Sequence, residues 1–425
     1  MGQTLTRLAV VVGLALGVAA CGGDDADSGA GGGGAAEQKD VPAITFQVTG
    51  DPEETRVYSE LADSYKSETG RTVNIVEVPE RDVHLAKLTT SFSAGKAPEV
   101  FLLNYRYLGG FAAKGVIEPA GPRLDSSEAF DRDAFYPIPL QAFDYDGALQ
   151  CVPQNASSLV TYVNLDAFEE AGIEPPKDSW TYDEFIAAAE KLTTDKRHGI
   201  GLDLSTIRAA PWVWSAGGEL VDDPAKPTKF LFDTPEGRRG LENVIALQEN
   251  GWAPNADEVD SKDVLDRFLD GSVAMFMSSR RDVPVARTIT DFEWDVAPFP
   301  TDVEPASVLH SDGFCMAKGA NADAAWLWIE YALGEQGQEV LAASGRSVPS
   351  LKAVAESPAF LEPTDPPANS KVFVDALANM HQLPVTPNWS EVESRTDDIL
   401  TELYYGRLEL DAGLKRLAEE TDGKF

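Results

Sequence analysis

The chain has 425 residues and carries 70 acidic against 35 basic side chains, a formal net charge of -35 at pH 7. This balance excludes nucleic acid and anionic lipid surfaces as partners, because both need a basic patch and no run of Lys and Arg offers one. An apolar share of 43% over this length suits a globular protein with room for two packed lobes.

The first 40 residues are unsuited to a folded core. Residues 8–20 are almost wholly apolar, yet a run of 13 is too short for the roughly 20 residues of a membrane-crossing helix. Arg7 stands before it and Ala19 and Ala20 precede Cys21, which is the order of a secretory signal peptide over residues 1–20. Val18-Ala19-Ala20-Cys21 also resembles the lipobox of bacterial lipoproteins. That resemblance implies lipidation of Cys21 and attachment to the extracytoplasmic face of the cell membrane by the lipid anchor only. Residues 21–40 hold Gly, Ala, Ser and Asp with almost nothing large and apolar, and are expected to act as a flexible tether. No second hydrophobic span follows.

A short strand-like run at 43–48 precedes Asp51-Pro52-Glu53-Glu54, a helix start with Asp as cap and proline and acids in the first turn. Val57, Leu61 and Tyr65 then recur at helical spacing up to Gly70, a suitable C-cap. "RTVNIVEVP" and "PEVFLLN" read as strands, "DVHLAKLTTSFSAGK" as the helix between them, and "YRYLGGFAAKGVIEP" as a third helix running into an extended segment. Alternation at this spacing predicts right-handed βαβ units and a mostly parallel sheet, so the first lobe is α/β.

From Gln150 the pattern changes. "LQCVPQNASSLVTYVNLDAF" is a long extended stretch broken by Pro153, Asn155 and two serines. "SWTYDEFIAAAEKLT" is a helix that Ser179 or Thr181 can cap, with acids in its first turn. "HGIGLDLS" reads as a strand and "IRAAPWVWSAGGELVDD" as a helix ending at Gly217-Gly218. "TPEGRRGLENVIALQENG" and "SKDVLDRFLDG" are further helices, "SVAMFMSS" a strand, and "DFEWDVAPFP" and "VLHSDGFCMAKG" extended segments. From Ala322 onward the chain is mostly helical, and no internal repeat is present.

Catalytic signatures do not emerge. There is no Walker-type glycine loop, HExxH, CxxC or GxSxG, and "GIGLDL" lacks the third glycine of a dinucleotide fingerprint. "DYDGAL" looks like half a calcium loop, but Ala142 and Pro153 stand where ligands belong, so a hairpin turn is the better reading. His84, His198, His310 and His381 are too scattered to suggest a metal site. No cofactor, metal or catalytic residue is therefore expected. With Cys21 lipidated, Cys151 and Cys315 remain as a candidate disulfide in an oxidising compartment, the alternative being two small buried thiols.

Taken together, "FQVTGDPEETRVYSELADSYKSETG", "KAPEVFLLNYRYLGGFAAKGVIEP", "CVPQNASSLVTYVNLDAFEEAGIEPPKDSWTYDEFIAAAEKLT", "WSAGGELVDD", "GSVAMFMSSRRDVP" and "WDVAPFP" carry a resemblance. In that order they resemble the extracytoplasmic solute-binding proteins of carbohydrate ABC importers, the group that includes maltose-binding protein. The resemblance implies two α/β lobes, each a mostly parallel sheet flanked by helices, with hinge strands between and a helical C-terminal part. The expected division is 41–154 plus 274–311 for the N-terminal lobe and 155–273 plus 312–425 for the C-terminal lobe. Solute is expected in the cleft between them, and lobe closure is expected to present a surface to the permease subunits.

Segments 151–164 and 272–280 have the mixed polarity of crossings, and in open α/β sheets ligands sit outside the carboxyl ends of strands. Planar polar groups suit sugar hydroxyls and aromatic faces suit pyranose C–H surfaces. The expected ligand-binding residues are Asp51, Asn104 and Arg106 at strand ends, Asn155 in the first crossing, and Ser279 and Arg280 at the end of the second. Asp312 and Gly313, Arg346 after a helix end, Trp212, Trp214 and Trp389 complete the set. Trp389 matches by position the late tryptophan that stacks on sugar in the maltose-binding group. Core packing is the alternative for each tryptophan, and an ion pair for Arg106 and Arg280. Where the family often has an aromatic residue in the second crossing, this chain has Ser279-Arg280-Arg281. The expected function is capture of an oligosaccharide or modified sugar by a monomeric receptor. The alternatives are a glycerophosphodiester-type solute paired with Arg280 and Arg281, or a surface-anchored glycoside hydrolase.

Overall fold

The computed structural model describes residues 42–50, 52–361 and 364–425; the expected signal peptide, Cys21, the tether and Asp51 lie outside these. In chain order the strands are β1 (Ile44–Thr49), β2 (Val73–Val78), β3 (Val100–Asn104), β4 (Ile117–Glu118), β5 (Asp144–Tyr145), β6 (Ala148–Leu149) and β7 (Cys151–Pro153). They continue as β8 (Val160–Asn164), β9 (Met275–Ser278), β10 (Trp294–Ala297), β11 (Ser307–Val308), β12 (Asp312–Ala317) and β13 (Met380–His381).

The first three strands alternate with helices Pro52–Thr69 and Arg81–Ser93, and β1 pairs in parallel with both β2 and β3, as their spacing predicts. Val100 to Leu103 are all buried, because helices cover both faces of a parallel sheet. The sheet order is β2-β1-β3-β12-β4, with β7 also on β12, and β12 runs antiparallel to all three of its partners. Rings of Phe46, Phe314, Tyr58 and Trp328 pack its core, with Phe46 at 4.5 Å from Phe314 and 6.0 Å from Trp328.

A second sheet, β10-β8-β9, is antiparallel throughout and packs Tyr162 between Phe276 and Trp294. Its strand directions therefore differ from the parallel expectation. "HGIGLDLS" lies alongside β9 only through parallel bridges at His198–Val273 and Gly201–Phe276. Sheet membership also departs from the expected division of the chain. β9 and β10 join the second sheet and β12 joins the first, the reverse of the grouping 274–311 with the first lobe and 312–425 with the second. An apolar run such as "MFMS" can complete any open sheet edge, so its composition does not name its partner.

Three connecting segments run side by side between the sheets. The backbone of Ser157 exchanges bonds of 3.0 and 2.8 Å with His310, and Ala156 N–H donates to Val348 C=O at 3.1 Å. Beside them, Cys151 and Cys315 stand directly opposite on β7 and β12 and are joined in a disulfide, with Cα atoms 4.4 Å apart. That separation is typical of a non-hydrogen-bonded antiparallel pair.

The β5–β6 hairpin turns on Asp146 and Gly147, both left-handed at φ 54 and 76, as a two-residue turn requires. Helix Tyr182–Leu192 starts in a capping box of Thr181 and Glu184. Helix Thr206–Ser215 lies so close to Pro235–Glu249 that a Cβ on Gly240 would stand 2.6 Å from Val213 Cα. Helix Trp389–Tyr404 packs on both and on the turn after β3. Among the described residues no helix is long and apolar enough to cross a membrane.

Candidate functional site

A polar cavity of about 550 Å³ lies where the two sheets face each other across the connecting segments. One wall is made by residues that follow parallel strands: Thr49 and Gly50 after β1, Pro79, Glu80 and Arg81 after β2, and Asn104, Arg106 and Tyr107 at the end of β3. Ser205, Ile207 and Arg208 at the start of helix Thr206–Ser215, Ser279 and Arg281 after β9, and Asp397 oppose them. The connecting segments add Asn155, Ser157, His310 and Arg346, and Asp312 at the start of β12 completes the lining.

A continuous polar chain holds this site together. Asn104 Nδ2 donates to Asp312 Oδ1 at 3.1 Å, and Asn104 Oδ1 accepts from Arg106 Nε at 3.1 Å. Arg106 in turn donates to the buried carboxylate of Glu393 on helix Trp389–Tyr404. Burial disfavours the Arg106 cation, but Glu393, with Tyr107 and Tyr105, more than offsets this and raises its pKa. At the other end Asn155 Oδ1 accepts from Asp312 N–H at 2.7 Å, and Ser311 Oγ donates to Asn155 C=O at 2.6 Å. The side chains of Asn104 and Asn155 thus aim their neighbours at the cavity.

Asp397 accepts from both the N–H and the hydroxyl of Thr206 at 2.6 Å. Burial first, and then the Glu393 charge, push its pKa up to about 6, against the pull of the two Thr206 donors. His310 is held neutral by burial and by the positive charge of Arg106, Arg208, Arg81 and Arg281, and its Nε2 is buried without a hydrogen-bond partner. Among the described residues, no group of three or more His, Cys, Asp and Glu is placed to hold a metal ion.

Of the residues expected from the sequence, the cavity brings together Asn104, Arg106, Asn155, Ser279, Asp312 and Arg346. Five others are placed elsewhere. Trp389 is wholly buried against Phe230 and Phe425, with ring centroids at 5.8 and 6.3 Å, so it packs the core and does not face the cleft. Trp212 packs edge-on to Phe299 at 4.9 Å, and Trp214 stacks on His381 at 4.7 Å. Arg280 is buried over the rings of Phe360 and Phe373 at 4.4 and 5.0 Å, where desolvation lowers its pKa to about 9. Gly313 sits inside the sheet, where a Cβ would stand 2.7 Å from the Phe143 ring. Asp51 lies outside the described residues.

Sequence reasoning passed over Glu80, Arg81, Tyr107, Arg208, His310, Glu393 and Asp397. The strand-end rule that selected Asn104 applies equally to Pro79 to Arg81 after β2. Glu393 and Asp397 carry only an i, i+4 acidic spacing. Their partners Arg106 and Thr206 stand 287 and 191 residues away, so no local signal marks the pairing.

Residues 60–368 match the family described as "Bacterial extracellular solute-binding protein". A maltotriose-binding protein of Pyrococcus abyssi is 24% identical over 386 residues, covering 87% of this chain and 79% of its own. The diacetylchitobiose binding protein DasA of Streptomyces coelicolor is 24% identical over 458 aligned positions, covering 100% of this chain and 98% of its own. Among solved structures, an ABC substrate-binding protein from Listeria monocytogenes in complex with cycloalternan superposes with a TM-score of 0.82 at 22% identity. That match covers 90% of this chain and 98% of the other, and the two share their fold.

Proposed function

Because the chain belongs to the bacterial extracellular solute-binding proteins, we propose that it captures a carbohydrate in the interlobe cavity and delivers it to the permease of an ABC importer. The observation that carries this reading is the polar cavity of about 550 Å³ at the carboxyl ends of β1, β2 and β3, closed below by three connecting segments. Its volume falls within the roughly 300–1,000 Å³ of small-molecule sites. The similar proteins named for maltotriose and diacetylchitobiose, and the one solved with cycloalternan, support a sugar as the solute.

In this reading the two sheets are the two lobes and segments 154–158, 309–311 and 346–350 are the hinge. Solute bridges the walls and favours the closed arrangement, which the permease recognises. Asn104, Arg106, Asn155, Ser279, Asp312 and Arg346 line the site, and the polar groups of Ser279 and Asp312 are offered to the sugar. The protein acts as a monomer without catalysis, and acyl chains on Cys21 hold it at the membrane.

Incubation of the full chain with a panel of glycans tests the reading. A rise in thermal midpoint without product supports capture, and release of product defeats it. Cys21→Ser should move the protein from the membrane fraction to the medium; retention in the membrane would reject the lipid anchor.

A further inference from the structure

Asp397 stands on the wall that faces the strand ends, and one of its two oxygens is engaged. Oδ1 accepts both the N–H and the hydroxyl of Thr206 at 2.6 Å, whereas Oδ2 has no hydrogen-bond partner among the described residues. No cation closes on it there: Arg106 pairs with Glu393, Arg208 with Asp203 at 3.1 Å and Arg281 with Asp282 at 3.5 Å. Since Oδ2 is not sealed from the surface and the residue lines the cavity, this oxygen is open to that space.

Asp312 repeats the arrangement beside the first wall. Its Oδ1 accepts from Asn104 Nδ2 at 3.1 Å, and its Oδ2 has no partner among the described residues. A carboxylate that served only to hold the start of helix Thr206–Ser215 would need one oxygen. Two carboxylates that each keep an oxygen for the space between the walls suit the hydroxyls of a solute that touches both.

We infer that Asp397 is a solute contact of the second wall, its Oδ2 accepting a hydroxyl hydrogen of the carbohydrate while Asp312 Oδ2 accepts another from the first. This rests on the carbohydrate reading above and adds to it a contact from helix Trp389–Tyr404.

A proton is linked to this contact. In the sugar-free chain burial, and then the Glu393 charge one turn earlier on the same helix, hold the Asp397 pKa at about 6, against the pull of Thr206 and Arg106. Arg208 on helix Thr206–Ser215 and, from the other elements of the cavity, Glu80, Arg81, Arg281, His310, Asp312 and Arg346 share the space with it. A hydroxyl donated to Oδ2 favours the carboxylate, so the solute drives the proton from Asp397 into solvent. Affinity should therefore be about tenfold weaker at pH 5 than at pH 7, with close to one proton released per solute at about pH 5 and almost none at about pH 8.

Calorimetric titration of the full chain tests this, in two buffers of unlike ionisation enthalpy at each pH. The solutes are the glycans of the panel that raise the thermal midpoint, with maltotriose, diacetylchitobiose and cycloalternan in that panel. Asp397→Asn keeps an oxygen for both Thr206 donors but turns the open acceptor into an amide donor. It should bind at least about tenfold more weakly near pH 7 and release no proton. His310→Gln, the control for the imidazole, should leave the proton release in place. The proton count on the parent chain needs no variant, so a folding failure of Asp397→Asn leaves the test intact. Binding that releases no proton near pH 5, or that keeps its full affinity in Asp397→Asn, overturns the inference and leaves the carbohydrate reading standing. A chain that binds no glycan of the panel fails the carbohydrate reading itself.

Discussion

Replacing Glu393 by Gln should destabilise the folded chain by about 3 kcal/mol. The Arg106–Glu393 pair joins the turn after β3 to helix Trp389–Tyr404, with side chains only 10% and 5% exposed. Removing one partner of such a pair typically costs about 3–5 kcal/mol, because the remaining charge is left in a poorly solvated place. Two features of the site bring the figure to the lower end. Asn104 still accepts from Arg106 Nε at 3.1 Å, and loss of the Glu393 charge eases ionisation of Asp397. With unfolding entropy near 2.1 cal/mol/K per residue, a folded part of this size loses roughly 4 °C of thermal midpoint for about 3 kcal/mol. The assay is thermal and urea unfolding of Glu393→Gln, Arg106→Gln and the double variant. Removing both charges should destabilise by less than the sum of the single changes, with a coupling of about 2 kcal/mol. A Glu393→Gln chain within about 0.5 kcal/mol of the parent, or single effects that simply add, would refute the reasoning.

Asp397 gives a pH signature. Its pKa in the folded chain is about 6 against an ordinary 3.8, raised first by burial and then by Glu393. The folded state therefore binds the proton more tightly than the unfolded one, so this group's stabilising contribution is full below about pH 4, declines to about pH 6 and is level above. Asp397→Asn should flatten the dependence of unfolding free energy on pH across that window relative to the parent, and an unchanged slope would contradict the placement. Trp389→Ala should lower stability by about 3–5 kcal/mol, as for a ring removed from a packed core, with solute affinity unchanged. Weakened binding at unchanged stability would return that ring to the cleft. Replacing Cys151 and Cys315 together by Ala should cost about 2–5 kcal/mol, since the bond closes a loop with a sequence separation of 164. Equal urea midpoints with and without the bond would argue against it.

The alternating strands and helices before residue 105 were legible because each step is local. Val57, Leu61 and Tyr65 share a helix face, and the continuous apolar run of Val100 to Leu103 announces a strand covered on both sides. The Asp146-Gly147 turn was legible for the same reason, as two adjacent residues determine it. Sheet membership was not. β9 and β12 are both short apolar runs, and whether each completes the first or the second sheet depends on partners more than a hundred residues away.

The candidate site divides along the same line. Asn104 and Arg106 could be found because strand ends in an α/β sheet are where a ligand sits. Trp389 could not be assigned, because helical spacing says that a residue is on a face without saying what covers it. In the fold Phe230 and Phe425 cover that face.

From its sequence alone this chain is determined to be an acidic α/β protein whose first residues read as an export signal and tether, in the likeness of extracytoplasmic solute receptors. These are properties of composition, period and order, which survive without contacts. Only the tertiary structure decided that Arg280 and three tryptophans are core residues, that Asp397 reaches the cleft with Glu393 buried behind it on Arg106, and that five distant arginines meet in one cavity. Convergence of that kind depends on how the two sheets face each other, and no stretch of sequence short enough to read locally contains it.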